Sequence, residues 1–92
     1  MARLVNVTEI LLFEILDSIL KDIPEFCGCD RCRMDVAAIA LNNLPTSYVV
    51  TGEGEVKKRI AVLEVQMRTD ITQAIVRAAE IVMKQPHHHR DN

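Results

Sequence analysis

Ninety-two residues make one domain, with no room for a second core, and 49% apolar with 26% charged residues is too apolar a mixture for a disordered chain. A net charge of −2 lacks the basic footprint of a nucleic-acid binder, so no binding of nucleic-acid polymers is expected. No stretch approaches the ~20 consecutive apolar residues that span a bilayer, and the segment from Val7 to Leu20, interrupted by Glu9, Glu14 and Asp17, is not a secretory signal.

Aromatic residues are limited to Phe13, Phe26 and Tyr48, so the core is built from Leu, Ile, Val, Ala and Met, the material of packed helices. A chain this short buries only ~60–65% of its unfolded surface. A metal, a disulfide or a second subunit is the usual reinforcement.

Asn6 or Thr8 caps a first helix, with Glu9 in its first turn. Ile10, Leu11, Phe13, Ile15, Leu16, Ile19, Leu20 and Ile23 recur at helical spacing, with Glu14, Asp17, Ser18, Lys21 and Asp22 on the other face, and Pro24 stops the run. Residues 25–31 form a tight loop that carries the cysteines, where Gly28 permits a backbone conformation other residues resist. A second helix spans about 30–43, with Met34, Val36, Ala37, Ile39, Ala40, Leu41 and Leu44 apolar, and ends at Asn42, Asn43 and Pro45. Residues 45–54 connect to the next element. Tyr48, Val49 and Val50 favour extended backbone, but three residues do not make a sheet, and the expectation is an extended strap.

A third helix spans about 55–84, with Ile60, Leu63, Met67, Ile71, Ala74, Ala78, Ile81 and Val82 in one stripe, and stops before Pro86. At 1.5 Å per residue it is ~42–45 Å long, against a radius of gyration of ~12 Å for a domain of this size. It therefore overhangs its own domain, and a second copy of the chain is the simplest cover for its stripe. The alternative is a helix broken near Thr69 or Thr72 that folds back. The expected fold is all-α: a single domain over 1–92, three main helices, a cysteine loop between the first two, a long C-terminal helix, and packing as a homodimer. Residues 86–92 form a polar, flexible tail.

Cys27, Cys29 and Cys32 form the pattern C-x-C-x-x-C. Three thiolates within so short a span converge readily on one tetrahedral metal, and soft sulfur ligands select zinc, iron or copper(I). The start of a helix favours thiolate over thiol, and Arg31 and Arg33 partly offset the sulfur charge. A closed zinc site takes four ligands; the candidates for the fourth are Asp30, Asp35, a water, or one of His87, His88 and His89. Two other readings stay open: three reduced, partly buried thiols, or a redox sensor. With nothing pointing to secretion, a cytoplasmic protein with reduced thiols is expected.

The run Pro24-Glu25-Phe26-Cys27-Gly28-Cys29-Asp30-Arg31-Cys32, followed by Asp35-Val36-Ala37-Ala38-Ile39-Ala40-Leu41-Asn42-Asn43-Leu44-Pro45 and Tyr48-Val49, resembles the ComFB family, named for late competence development. Leu4-Val5-Asn6 matches the family's lead-in, and the resemblance covers about residues 3–84. Thr46 stands where the family usually has a second proline, which loosens the strap slightly. The resemblance implies a small helical homodimer with zinc on the cysteines and a regulatory function. Some similar proteins resemble receptors for the cyclic dinucleotides c-di-GMP or c-di-AMP, linked to competence, pili or motility.

Such a ligand carries two phosphates and two purines. Lys57 and Arg59 supply cations, Tyr48, Arg59 and Arg68 flat surfaces for stacking, and Asn42 and Gln66 groups for a base edge. Gly52 and Gly54 precede the third helix, whose amides favour anions. Against this, Glu53 and Glu55 repel phosphate at that same helix start, and Lys57, Lys58 and Arg59 also read as a solvated face. The other function the residues permit is a structural adaptor with a zinc staple, a protein partner and no small-molecule ligand. An enzyme is not expected: the histidines sit together in a tail, no phosphate-binding loop occurs, and the carboxylates are spread along helix faces.

Overall fold

Asn6 begins the first helix. Its backbone is extended and its side-chain oxygen accepts the N–H of Glu9 at 3.3 Å, so it satisfies one of the donors that a helix start leaves open. The computed structural model describes residues 2–52 and 55–85, with the backbone alone at 55, 56 and 59. In chain order the elements are β1 (Arg3–Asn6), α1 (Val7–Leu20), α2 (Asp30–Asn42), β2 (Tyr48–Thr51) and α3 (Glu55–Lys84).

Thr8, the other candidate cap, has a different use. It is buried in the first turn of α1, and its hydroxyl donates to the Pro45 carbonyl at 2.8 Å. The Val7 N–H donates to the Ser47 carbonyl at 2.7 Å. These two bonds stitch the Leu-Pro turn after α2 to the start of α1. α1 stops at Leu20, a turn before the expected Ile23; the N–H of Lys21 closes the helix on Asp17, and Pro24 disfavours helical backbone at Ile23.

The all-α expectation is corrected here. Tyr48–Thr51 is a strand, and its antiparallel partner is Arg3–Asn6, paired Arg3 with Thr51, Leu4 with Val50, Val5 with Val49 and Asn6 with Tyr48. The strap is therefore one half of a two-stranded ribbon. Its partner lies at the far end of the chain, out of reach of any local pattern. Alternation sets its two faces: Val5 is buried on the core and Val49 half-buried, while Leu4 and Val50 point outward, 71% and 64% exposed.

α3 runs unbroken through Thr69 and Thr72, so it does not fold back. It packs against both α1 and α2. The core joins Val7, Leu11, Leu12, Ile15, Leu16 and Leu20 of α1 to Cys32, Val36, Ala37 and Ala40 of α2. Ile71, Ile75, Ala78, Ala79 and Val82 of α3 complete it. The seam on α3 therefore passes through Ile75 and Ala79, which the expected stripe omitted. Ile81, which the stripe included, is 53% exposed. At 3.6 residues per turn Ile81 sits about 100° around the helix from the centre of that seam.

Among the described residues, all of the buried α3 side chains lie from Ile71 onward. Before it, Ile60, Leu63 and Met67 are only partly covered, and Val62 and Val65 are 59% and 82% exposed. The longest axis of the molecule is 46 Å and its radius of gyration is 14.6 Å, so α3 spans the whole length and its first half projects past the bundle.

Ile71, expected at the middle of an intermolecular stripe, is 1% exposed within one chain. Ile71→Asp is expected to unfold the protein rather than only dissociate it, because burying a lone carboxylate costs several kcal/mol and total stability is only ~5–15 kcal/mol. Circular dichroism checks this; a native-like thermal transition for the variant contradicts the placement of Ile71 in the core.

Candidate metal centre

The loop between α1 and α2 turns back on itself at two residues with left-handed backbone, Glu25 at φ 69° and Gly28 at φ 77°. Gly28 occupies its conformation without the penalty a side chain brings, and no atom lies where its Cβ would sit. The turn brings Cys27 and Cys29 together at the first turn of α2. Cys29 is the residue that caps α2: its backbone is extended and its Sγ accepts the N–H of Cys32 at 3.4 Å. Cys32, at the third helical position, faces inward and is 1% exposed, part of the same core as Val36 and Leu16.

The three Sγ atoms lie within 4.8 Å of one another. Around a tetrahedral zinc with Zn–S bonds of ~2.3 Å, neighbouring sulfurs are about 3.8 Å apart. Small side-chain rotations close that difference, and the donor set of three soft sulfurs is one that zinc, iron and copper(I) share. The residues present fit such an ion. Exposure grades across the cluster, from Cys27 at the surface through Cys29 to Cys32 inside, so one side of the site is anchored in the core and the other is open.

The electrostatics follow the same gradient. The Cys32 N–H that points at Cys29 Sγ lowers the pKa of that thiol, against an opposing effect of burial. Burial pushes the Cys32 thiol up to about 11, reinforced by its two sulfur neighbours. Arg31 and Arg33, expected to offset the sulfur charge, are each held by a carboxylate. Arg31 Nε donates to Asp35 at 3.3 Å, and Arg33 reaches across to Asp17 of α1 at 2.7 and 3.3 Å, over the ring of Phe13. The hydrogen bond from Arg33 lowers the pKa of Asp17. Arg33 therefore ties α1 to α2 beside the loop.

Among the described residues, neither Asp30 nor Asp35 joins the three sulfurs. His87, His88 and His89, the remaining protein candidates for a fourth ligand, lie outside the described residues, as does the tail they belong to.

The residues read as a nucleotide site are scattered over three elements. Asn42 closes α2, Tyr48 is in β2 and 58% exposed, and Lys57, Gln66 and Arg68 are exposed on α3. Nine positions separate Lys57 from Gln66, which puts them on opposite sides of a helix of 3.6 residues per turn. Arg68 is bonded to Glu64 at 2.9 Å. The side chain of Arg59 and the residues Glu53 and Gly54 lie outside the described residues. A groove of about 440 Å³, with no counterpart in the expected features, lies between the end of α2 and the second half of α3, lined among others by Ile39, Asn43, Leu44, Gln73 and Arg77. A groove between helices distant in sequence has no local signature.

Two outcomes are expected of the cysteine site. Serine is a good helix cap, so Cys29→Ser keeps the cap and removes a sulfur ligand. Its melting temperature should match that of the chelator-treated wild type, while zinc at about a hundred times its dissociation constant stabilises the wild type by ~2.7 kcal/mol; an unchanged wild-type melting curve with zinc contradicts a structural site. Because each thiol must lose its proton to ligate, and burial holds that of Cys32 most tightly, metal affinity should rise with pH through the neutral range and fall on acidification. A pH titration of zinc binding reads the slope directly, and a flat profile excludes thiolate ligation.

The family model described as "Late competence development protein ComFB" matches residues 5–86. The "Competence protein ComFB" of Bacillus subtilis strain 168 is 29% identical over 83 residues, covering 90% of this chain and 85% of that protein. A solved structure described as the late competence protein ComFB from Bacillus subtilis aligns with a TM-score of 0.77 and 28% identity, over 98% of this chain and all of that one. The cysteine loop and the Leu-Pro turn lie inside the family-model match, and the chain belongs to the ComFB family.

Proposed function

We propose that this chain is a regulatory binding protein of late competence development, in which zinc staples the cysteine loop and two copies associate through the projecting half of α3. The convergence of three sulfurs within 4.8 Å at the cap of α2 carries the reading. A metal there fixes the loop, the start of α2 and, through Cys32, the core, which is the reinforcement a domain this small requires. Zinc is the ion of this proposal because its closed sites are tetrahedral and rich in sulfur.

The support for a homodimer is the unburied first half of α3. Val62 and Val65 face solvent while Ile60, Leu63 and Met67 are partly covered, and a second copy with the same surface buries them by symmetry. The role is binding and not catalysis, and a site of reduced thiols belongs in the cytoplasm. In the simpler form of the proposal the dimer is an adaptor that docks a protein partner.

A cyclic dinucleotide is the second reading, favoured by one observation. Tyr48 is exposed, and Lys57 and Lys58 are exposed with no ion pair among the described residues, so a ring and two cations stand free for purine and phosphate. Since Lys57 and Gln66 face opposite ways on one helix, a ligand that meets Asn42, Tyr48, Lys57, Arg59, Gln66 and Arg68 together draws them from two copies, which suits its two-fold shape.

Native mass spectrometry with zinc, alone and with c-di-GMP and c-di-AMP, tests these readings. The expected species is a dimer carrying two zinc ions, which Val65→Asp converts to monomer. A monomeric wild type contradicts the dimer. Uptake of a cyclic dinucleotide supports the receptor reading; a zinc-loaded dimer that takes up neither leaves the adaptor.

A further inference from the structure

Cys29-Asp30-Arg31-Cys32 is a C-x-x-C segment whose first cysteine caps a helix and whose second lies on the helix's inner face. We infer that, when no metal is bound, this pair is a site of oxidation by hydrogen peroxide, which joins Cys29 to Cys32 in a disulfide and thereby excludes the metal. The inference goes beyond the binding function proposed above and stands on the convergence of the thiols, not on which ion they hold.

Three observations assign the roles. The two sulfurs lie within 4.8 Å, so a bond between them needs side-chain rotation and little backbone movement. Cys29 is half-exposed whereas Cys32 is 1% exposed, so an oxidant in solution meets Cys29 and not Cys32. Cys27 is also accessible, but the amide of Cys32 is directed at the sulfur of Cys29, where it supports negative charge. The reaction is then ordered. The Cys29 thiolate attacks one peroxide oxygen, the O–O bond breaks, and hydroxide leaves and is protonated to water. Cys29 is now a sulfenic acid, oxidised by two electrons, and the peroxide is reduced. Cys32 gives up its proton and attacks that sulfur; the S–S bond forms, the S–O bond breaks, and a second water leaves. In sum, two thiols and one peroxide become one disulfide and two waters. A disulfide sulfur no longer offers the thiolate that the metal needs, so oxidation and metal binding compete for the same two residues.

The test treats the full-length chain, zinc-loaded and chelator-stripped, with equimolar hydrogen peroxide, followed by alkylation, intact mass measurement and trypsin. The stripped protein should take up one alkyl group where the untreated protein takes up three. Cleavage after Arg31 should leave residues 22–31 and 32–33 joined until a reductant is added. Cys27→Ala, a change at an exposed position, should keep that cross-link, and the zinc-loaded protein should oxidise more slowly and release zinc to a chelating dye as it does. Oxygen adducts without a disulfide, a bond confined to residues 22–31, a cross-link lost in Cys27→Ala, or no change in mass would overturn the inference. Zinc binding without the cross-link defeats this inference alone, and the cross-link without zinc binding defeats the metal proposal alone.

Discussion

Cys32 belongs to two structures at once, and the rest of the molecule depends on that. As a small apolar residue it belongs to the same buried core as Leu16 and Val36; as a thiol it is the inner vertex of the sulfur triangle. Its backbone N–H, at the third position of α2, is one of the donors a helix start leaves unsatisfied, and the sulfur of Cys29 accepts it. Helix cap, core packing and ligand geometry are thus set by one turn of helix. Gly28 and Glu25, in left-handed backbone, are what let the loop return Cys27 to that turn.

The opposite end of the bundle is held by a different device. After α2 the chain must cross to β2, and the crossing is fixed by the Pro45 and Ser47 carbonyls, which accept from Thr8 and Val7 at the start of α1. The buried hydroxyl of Thr8 is satisfied there, as buried polar groups must be. The ribbon of β1 and β2 continues this stitch and places Val5 on the core. α3 then closes the bundle with its second half and projects with its first, which leaves exposed apolar surface at Val62 and Val65 and at Leu4 and Val50 of the ribbon.

Much of this was legible along the chain because it is local. The bounds of α2 and α3 followed from caps, prolines and apolar spacing, and the convergence of the three cysteines followed from their spacing. The ribbon was not legible: its two strands are short and far apart in sequence, so neither Leu4-Val5 nor Tyr48-Val49-Val50 announces a partner. The seam on α3 was misplaced at Ile81 because a stripe drawn from apolar residues does not show which two helices it must fit between; Ile75 and Ala79 face α1 and α2 because both pack on it. The same limit hid the groove beside Arg77. The arginines of the cysteine loop read as partners of sulfur, but Asp17 and Asp35 hold them, and the Asp17 pairing depends on how α1 and α2 are placed.

The proposed metal centre joins Cys27, Cys29 and Cys32 on a single ion. Cobalt(II) in place of zinc reports this directly, since the ion is coloured and its spectrum depends on the ligands and geometry. Titrated into the reduced, chelator-stripped protein, one equivalent per chain should produce an intense thiolate-to-cobalt charge-transfer band with the visible bands of a tetrahedral ion, both abolished by added zinc. A spectrum of pale, octahedral, water-ligated cobalt with no charge-transfer band would show that the three thiols do not form a metal centre.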